Sequence, residues 1–113
     1  ADYIGDAAAC GHLLALLDSE NRLGLYTLEL QTEQEPYGLT IVSEQNAPDT
    51  ELLRDYAVVL LALIGNAGEI EWRYADQQFG VDLAAANAFL SSDVKSYAAS
   101  RAEIQLLLDE LEI

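Results

Sequence analysis

Methionine is absent from this chain, cysteine occurs once and basic residues number only five, and each scarcity excludes something. A lone Cys10 rules out an intramolecular disulfide, and with the lone His12 it cannot make a zinc site by itself. Arg22, Arg54, Arg73, Lys95 and Arg101 are scattered among twenty Asp and Glu, leaving a net charge of −15. That field repels phosphate backbones, so no nucleic-acid partner is expected. An anionic membrane surface repels it too, within a screening length of about 8–10 Å at physiological salt. The charge points toward a basic partner or a cation, although solubility is the simpler account of it. The longest apolar run, Tyr56 through Gly65, falls far short of the roughly 18–20 residues that span a bilayer. No N-glycosylation triplet, internal repeat or low-complexity segment occurs. The missing initiator leads us to expect a chain processed or cut from a longer signal- or anchor-bearing precursor, with membrane contact only through that removed tether.

What remains suits one small domain with a core of its own. At 113 residues and 51% hydrophobic, the chain can bury roughly two-thirds of its unfolded surface. Asp6 is placed to cap a first helix over Ala7 to Leu17, with Cys10, Leu13, Leu14 and Leu17 on one stripe. Alternation then writes a hairpin of Leu23 to Thr32 and Tyr37 to Ser43 around a charged loop ending in Pro36-Tyr37-Gly38. Tyr26, Leu28 and Leu30 share one face of its first strand; Tyr37, Leu39 and Ile41 share one face of its second. Asp49 reads as the N-cap of a second helix from Leu52 to Ile64, apolar on two adjoining faces, which suits a helix packed on both sides.

After Gly65-Asn66-Ala67-Gly68, a second hairpin is expected from Glu69 to Ala75 and from Phe79 to Leu83, although a helix starting at Asp82 competes with its return strand. A short helix from Ala84 to Leu90 and a polar connection with Ser91-Ser92-Asp93 lead to a last helix. Ser100 and Glu103 have capping-box spacing at its start, and Ile104, Leu107, Leu108 and Leu111 form its stripe. Its acidic end, with Asp109, Glu110 and Glu112, is expected to fray. The fold class is therefore α+β, in the order α-ββ-α-ββ-α-α. Two hairpins make a four-stranded, mainly antiparallel sheet with helices on its apolar face.

No cluster of residues carries chemistry. Cys10 and His12 lie two apart on a helix, roughly 200° from one another, which is wrong for a nucleophile and its base. Cys10 reads as a small buried hydrophobe and His12 as a surface imidazole. Asp2 and Asp6 stand where a lipoprotein signal would need apolar residues before Ala7-Ala8-Ala9-Cys10. The carboxylates lack EF-hand spacing, and the glycines are dispersed rather than gathered in a phosphate-binding loop. Glu29, Glu69 and Glu71 project from the polar side of their strands, where cross-strand ion pairing is the ordinary role. No catalytic residue, metal site or cofactor is expected. The candidate surface for a ligand or partner is the polar sheet face, with Glu29, Gln31, Thr40, Glu71 and Arg73, or the loop Glu33 to Tyr37, with Glu35 and Tyr37.

Several segments resemble a family of small bacterial extracytoplasmic domains of unknown function. The most specific is Leu30-Gln31-Thr32-Glu33 running through Glu35 into Pro36-Tyr37-Gly38-Leu39-Thr40. Tyr3-Ile4-Gly5-Asp6, Val59 to Ile64 with Asn66, Glu69-Ile70 and Asp93-Val94-Lys95-Ser96-Tyr97 add to it, so the likeness runs nearly end to end. It implies a secreted or lipid-anchored location outside the cytoplasm and carries over no catalytic residue. The expected function is a non-catalytic binding or sensory module for an unidentified protein or cell-envelope ligand. A hydrolase using surface carboxylates and a structural or assembly domain of the envelope are the alternatives.

Overall fold

Strong alternation in two hairpins and wide apolar stripes in the helices lead to a sheet backed by helices. The computed structural model describes residues 7–35, 37–90 and 93–112. They form α1 (Ala7–Leu17), β1 (Thr27–Gln31), β2 (Tyr37–Val42), α2 (Thr50–Leu63), β3 (Ala67–Arg73), β4 (Gln78–Asp82), α3 (Leu83–Phe89), a 3-10 helix (Val94–Ala99) and α4 (Arg101–Leu111). The expected order holds, with the 3-10 helix added in the connection before α4. The cap expected at Asp6 lies outside the described residues.

The strands lie in the order β1-β2-β3-β4. Both hairpins are antiparallel, whereas β2 and β3 run parallel. Helix α2 explains the parallel pair: a chain that crosses over the sheet as a helix returns in its original direction, which a tight turn cannot do. Register then aligns the alternation across all four strands. Leu28 and Leu30 face Ile41 and Leu39, these pair with Trp72 and Ile70, and those in turn with Phe79 and Val81. Leu39, Ile41, Ile70 and Trp72 are almost wholly buried, and Phe79 is half-buried against the same core. The indole N–H of Trp72 is buried with no acceptor among the described residues.

Helix α2 is the centre of the molecule. Its buried residues include Leu53, Tyr56, Val58, Leu60 and Leu61. It packs on β3 and β4 on one side, while the 3-10 helix and α4 pack on it from outside the sheet layer. Its two apolar faces therefore have two separate partners. Asp49 caps it as expected, accepting the Glu51 amide at 3.0 Å. Ser100 likewise accepts the Glu103 amide at 3.2 Å at the start of α4. The last turn of α4, expected to fray, is intact to Leu111. Glu112 closes it at φ 60°, its N–H donating to the Asp109 and Leu108 carbonyls.

Several boundaries shift by one or two residues, and two places have a local reason for the difference. The first strand starts at Thr27 rather than near Leu23, because residues 18–26 form a loop with competing bonds. The Asp18 carboxylate takes the Arg22 and Leu23 amides at 2.9 and 3.0 Å, and Asn21 and Gly24 have positive φ. At Asp82 the hairpin reading holds, because Phe79, Gly80 and Val81 are strand rather than loop. Asp82 ends β4 and caps the helix that follows, accepting the Ala85 amide at 2.8 Å.

Candidate functional site

Because side chains alternate across a strand, packing one face of the sheet on helices turns the other face outward. Three rows of residues cross it. Thr27, Val42, Arg73 and Gln78 form one; Glu29, Thr40, Glu71 and Gly80 the next; Gln31, Gly38, Glu69 and Asp82 the third. A one-residue slip between Tyr37 and Gly38 keeps Glu69, Glu71 and Arg73 in phase with Gly38, Thr40 and Val42. Among the described residues, no element lies over this face.

The central row is tied together by Arg73. Its guanidinium lies 3.1 Å from Glu71 and 3.6 Å from Glu29, reaching across β2 to do so. Glu71 also accepts from the Thr40 hydroxyl at 3.4 Å and from the Gln78 amide at 3.1 Å. Gln31 turns toward the hairpin loop, accepting the Glu33 amide at 2.9 Å and donating to the Gln34 carbonyl at 2.8 Å. Between Gln31 and Glu69 lies Gly38, whose missing side chain leaves a shallow depression of about 450 Å³.

Five of the candidate surface residues, Glu29, Gln31, Thr40, Glu71 and Arg73, are thus brought together on one face. Glu35 and Tyr37 are not among them. Tyr37 alternates with Gly38 and packs toward the core side. With Glu35 it lines a different depression, beside Asn66, Leu83 and Lys95 at the turn from α2 into β3. The two candidate surfaces are therefore separate places, set apart by the same alternation that built the strand.

Among the described residues, the groups with the most displaced pKa values, Tyr56 and Tyr74, sit away from the sheet face. Burial and a hydrogen bond to Asp18 push the Tyr56 phenol up to about 12. Burial and the charge of Asp18 push Tyr74 up to about 12 as well. Burial raises Asp55 against the pull of Arg54, and it lowers Lys95 against the pull of Asp93. His12 is exposed and Cys10 fully buried, on different sides of α1. Among the described residues, no group of three or more His, Cys, Asp or Glu is arranged to hold a metal ion, and no helix is long and apolar enough to cross a membrane.

Sequence reasoning passed over three residues. Leu25, assigned to a strand, stands 80% exposed on the loop before β1. Gly24 beside it, at φ 76°, was the signal that the strand had not yet begun. Asp18, just after the end of α1, carries no local signal of its role, yet it is buried and accepts from the Tyr56 hydroxyl at 3.1 Å. Lys95 was counted as scattered charge, yet its ammonium is enclosed by three carbonyl oxygens.

No curated protein and no solved structure shows significant similarity to the chain. Its first 85 residues, about three-quarters of the 113, match the family model described as a domain of unknown function, DUF4825. The match takes in the Pro36-Tyr37-Gly38-Leu39-Thr40 hairpin, α2 and β3, and it stops short of Asp93 to Tyr97, which the sequence resemblance had included. The chain belongs to the DUF4825 family.

Proposed function

We propose that this chain is a non-catalytic binding or sensory module working outside the cytoplasm, tethered to a membrane in its full-length form. It docks a protein or cell-envelope ligand on the uncovered face of its sheet. The likeness to small extracytoplasmic bacterial domains supports the location. The observation that carries the docking role is the outward face itself: it is polar, carried on paired strands and crossed by the ion pairs of Arg73 with Glu29 and Glu71. Rigid elements present a surface with little loss of conformational freedom on binding. What supports a non-catalytic role is the position of the Arg73 guanidinium. It fills the space between the carboxylates that a hydrolase would need for its water or scissile bond.

Location is tested by fusing the full-length gene product to a phosphatase that is active only outside the cytoplasm; an inactive fusion refutes it. Docking is tested by placing a photo-crosslinking residue at Thr40 in the cell, with the exposed Leu106 of α4 as the comparison site. Adducts are expected from Thr40. Adducts from Leu106 alone contradict the assignment of the face. So does glycosidase or peptidase turnover that both Glu29→Gln and Glu71→Gln abolish.

A further inference from the structure

Two depressions adjoin on the outward side of the sheet. One, about 450 Å³, has Gly38 in its floor with Glu29, Thr40, Glu69, Glu71 and Arg73 around it. The other, about 480 Å³, is lined by Leu25, Tyr26, Thr27, Val42, Glu44 and Gln45. Thr27 and Val42 are cross-strand partners one row along from Glu29 and Thr40. Successive same-face rows lie about 7 Å apart, so the row of Thr27 and the row of Gly38 are separated by about 14 Å. The two depressions follow one another along β1 and β2 as a strip, with Leu25 and Val42 toward one end and Glu29 and Glu69 toward the other.

The apolar end is built. Leu25 is 80% exposed, yet its backbone is fixed on both sides. Its N–H donates to Gln45 Oε1 at 2.9 Å, and its carbonyl accepts from the Ser43 hydroxyl at 2.6 Å. Gly24 precedes it at φ 76°, with the Gln45 amide oxygen lying against the place a β-carbon would occupy. A large apolar side chain held out to water on an ordered backbone makes an anchor that loses little freedom on binding. At the other end Glu69 is exposed and lies outside the pairs that Arg73 makes with Glu29 and Glu71.

Charge chooses the occupant. A second copy of the chain would bring another −15 against this face, and an anionic glycan or lipid is repelled in the same way. A neutral saccharide can donate hydroxyls to the carboxylates but gains nothing from their charge. Arg73 already shows how a guanidinium is received between carboxylates here. We infer that the strip takes an extended basic polypeptide segment, with an arginine or lysine against Glu69 and Glu29 and an apolar side chain against Leu25 and Val42. In an extended peptide, same-face side chains recur every second residue, so an apolar residue followed by basic residues two and four positions on matches the strip. The inference rests on the docking role proposed for this face and adds the chemistry of its partner.

The test is an NMR titration of the isotope-labelled 113-residue chain. The probe is the heptapeptide Ser-Leu-Ser-Arg-Ser-Arg-Ser, and the control has serine in place of leucine. The amides of Leu25, Thr27, Gly38, Thr40, Val42 and Glu69 are expected to shift together with the probe. Glu69→Lys and Leu25→Asp are each expected to weaken binding at least fivefold. Both side chains are exposed, so the fold survives their replacement. Leu25→Asp separates the inference from plain attraction to an acidic protein, because added negative charge would then tighten binding. Tighter binding by Leu25→Asp, or equal binding of the leucine-free control, overturns the inference. A dimer in sedimentation that Leu25→Asp dissolves overturns it in favour of a second copy. If the probe leaves the face unshifted while photo-crosslinks still form from Thr40, the basic-polypeptide inference fails and the docking role stands. If both fail, both are wrong.

Discussion

Lys95 donates to the carbonyl of Ile64 at 2.7 Å, and the same ammonium reaches the carbonyls of Leu61 and Ala67 at 2.6 and 2.8 Å. Leu61 lies in the last turn of α2, Ile64 follows its end and Ala67 opens β3, so one cation ties the negative end of the helix to the start of the strand. It also ties the segment after residue 85, beyond the family match, to the helix at the centre of the fold. An ammonium offers three donors in a tripod, whereas a guanidinium is a flat fork. Lys95→Met keeps the aliphatic stem and removes all three bonds, and should cost about 2–3 kcal/mol. Lys95→Arg should fail to restore it. Urea denaturation of the three proteins measures the difference; a methionine variant as stable as the parent would show that water serves the carbonyls equally well.

Asp18 is a second hidden tie. Its carboxylate receives the Arg22 and Leu23 amides and the Tyr56 hydroxyl, and it is only 4% exposed. All three partners are donors, so an acid is the natural residue here. Asp18→Asn keeps the shape but turns an NH₂ toward one of those donors, which should cost about 2–3 kcal/mol. Thermal unfolding of the variant checks it, and loss of less than about 0.5 kcal/mol, the range of an ordinary surface substitution, would contradict the role.

The same cluster sets the alkaline limit of the fold. Tyr56 and Tyr74 have phenols pushed up to about 12 from the ordinary 10, chiefly by burial. A raised folded-state pKa means the unfolded chain releases its phenolic protons first. The contribution is therefore complete below pH 10 and is lost as pH rises from 10 toward 12. Each phenol adds a slope of about 1.4 kcal/mol per pH unit across that interval. Denaturation midpoints measured from pH 9 to 12 should fall, and should fall less steeply in Tyr56→Phe.

How much of this was legible follows from which interactions are local. Alternation placed Leu28, Leu39, Ile70, Trp72 and Val81 on one face, and the register keeps them there, because period two is written in the residues themselves. Asp49, Ser100 and the double stripe of α2 were readable for the same reason, since each acts within a few residues. The Lys95 carbonyls lie 28 to 34 residues away and Tyr56 lies 38 from Asp18, and no spacing announces such pairs. The site was half legible. Glu29, Gln31, Thr40, Glu71 and Arg73 converge as alternation implies, and Tyr37 falls on the other face by the same alternation. The depression it lines with Glu35, by contrast, depends on the distant Leu83 and Lys95.

Gly24 shows what holds Leu25 in place. At φ 76° it occupies backbone space that side-chain-bearing residues rarely adopt, and the Gln45 amide oxygen blocks the position of a β-carbon. Gly24→Ala should therefore cost about 1–2 kcal/mol in backbone strain and displace Gln45 from the Leu25 amide. Gly80 is the contrast, because an added β-carbon there meets nothing nearer than the Ile70 carbonyl at 3.8 Å. Gly80→Ala should be neutral or stabilising, by up to about 1 kcal/mol through the unfolded chain. Equal destabilisation of the two would show that the loop relaxes around a side chain.

The ion pairs of the sheet face are poor candidates for holding the fold. Arg73 and Glu29 have side chains 47% and 61% exposed and meet at 3.6 Å, the regime in which a pair contributes about 0–1 kcal/mol. Glu71 is better enclosed, yet it keeps the Thr40 and Gln78 bonds when the arginine is removed. Arg73→Gln should thus lower stability by less than about 1 kcal/mol, with the difference shrinking further at high salt. Its effect on binding should run the other way. Removing the intramolecular guanidinium frees Glu29 and Glu71 for an external one, so a basic peptide should bind Arg73→Gln more tightly than the parent. Paired denaturation and titration of this variant separate the two roles: large destabilisation assigns Arg73 to the fold, and weakened peptide binding assigns it to direct contact with the partner.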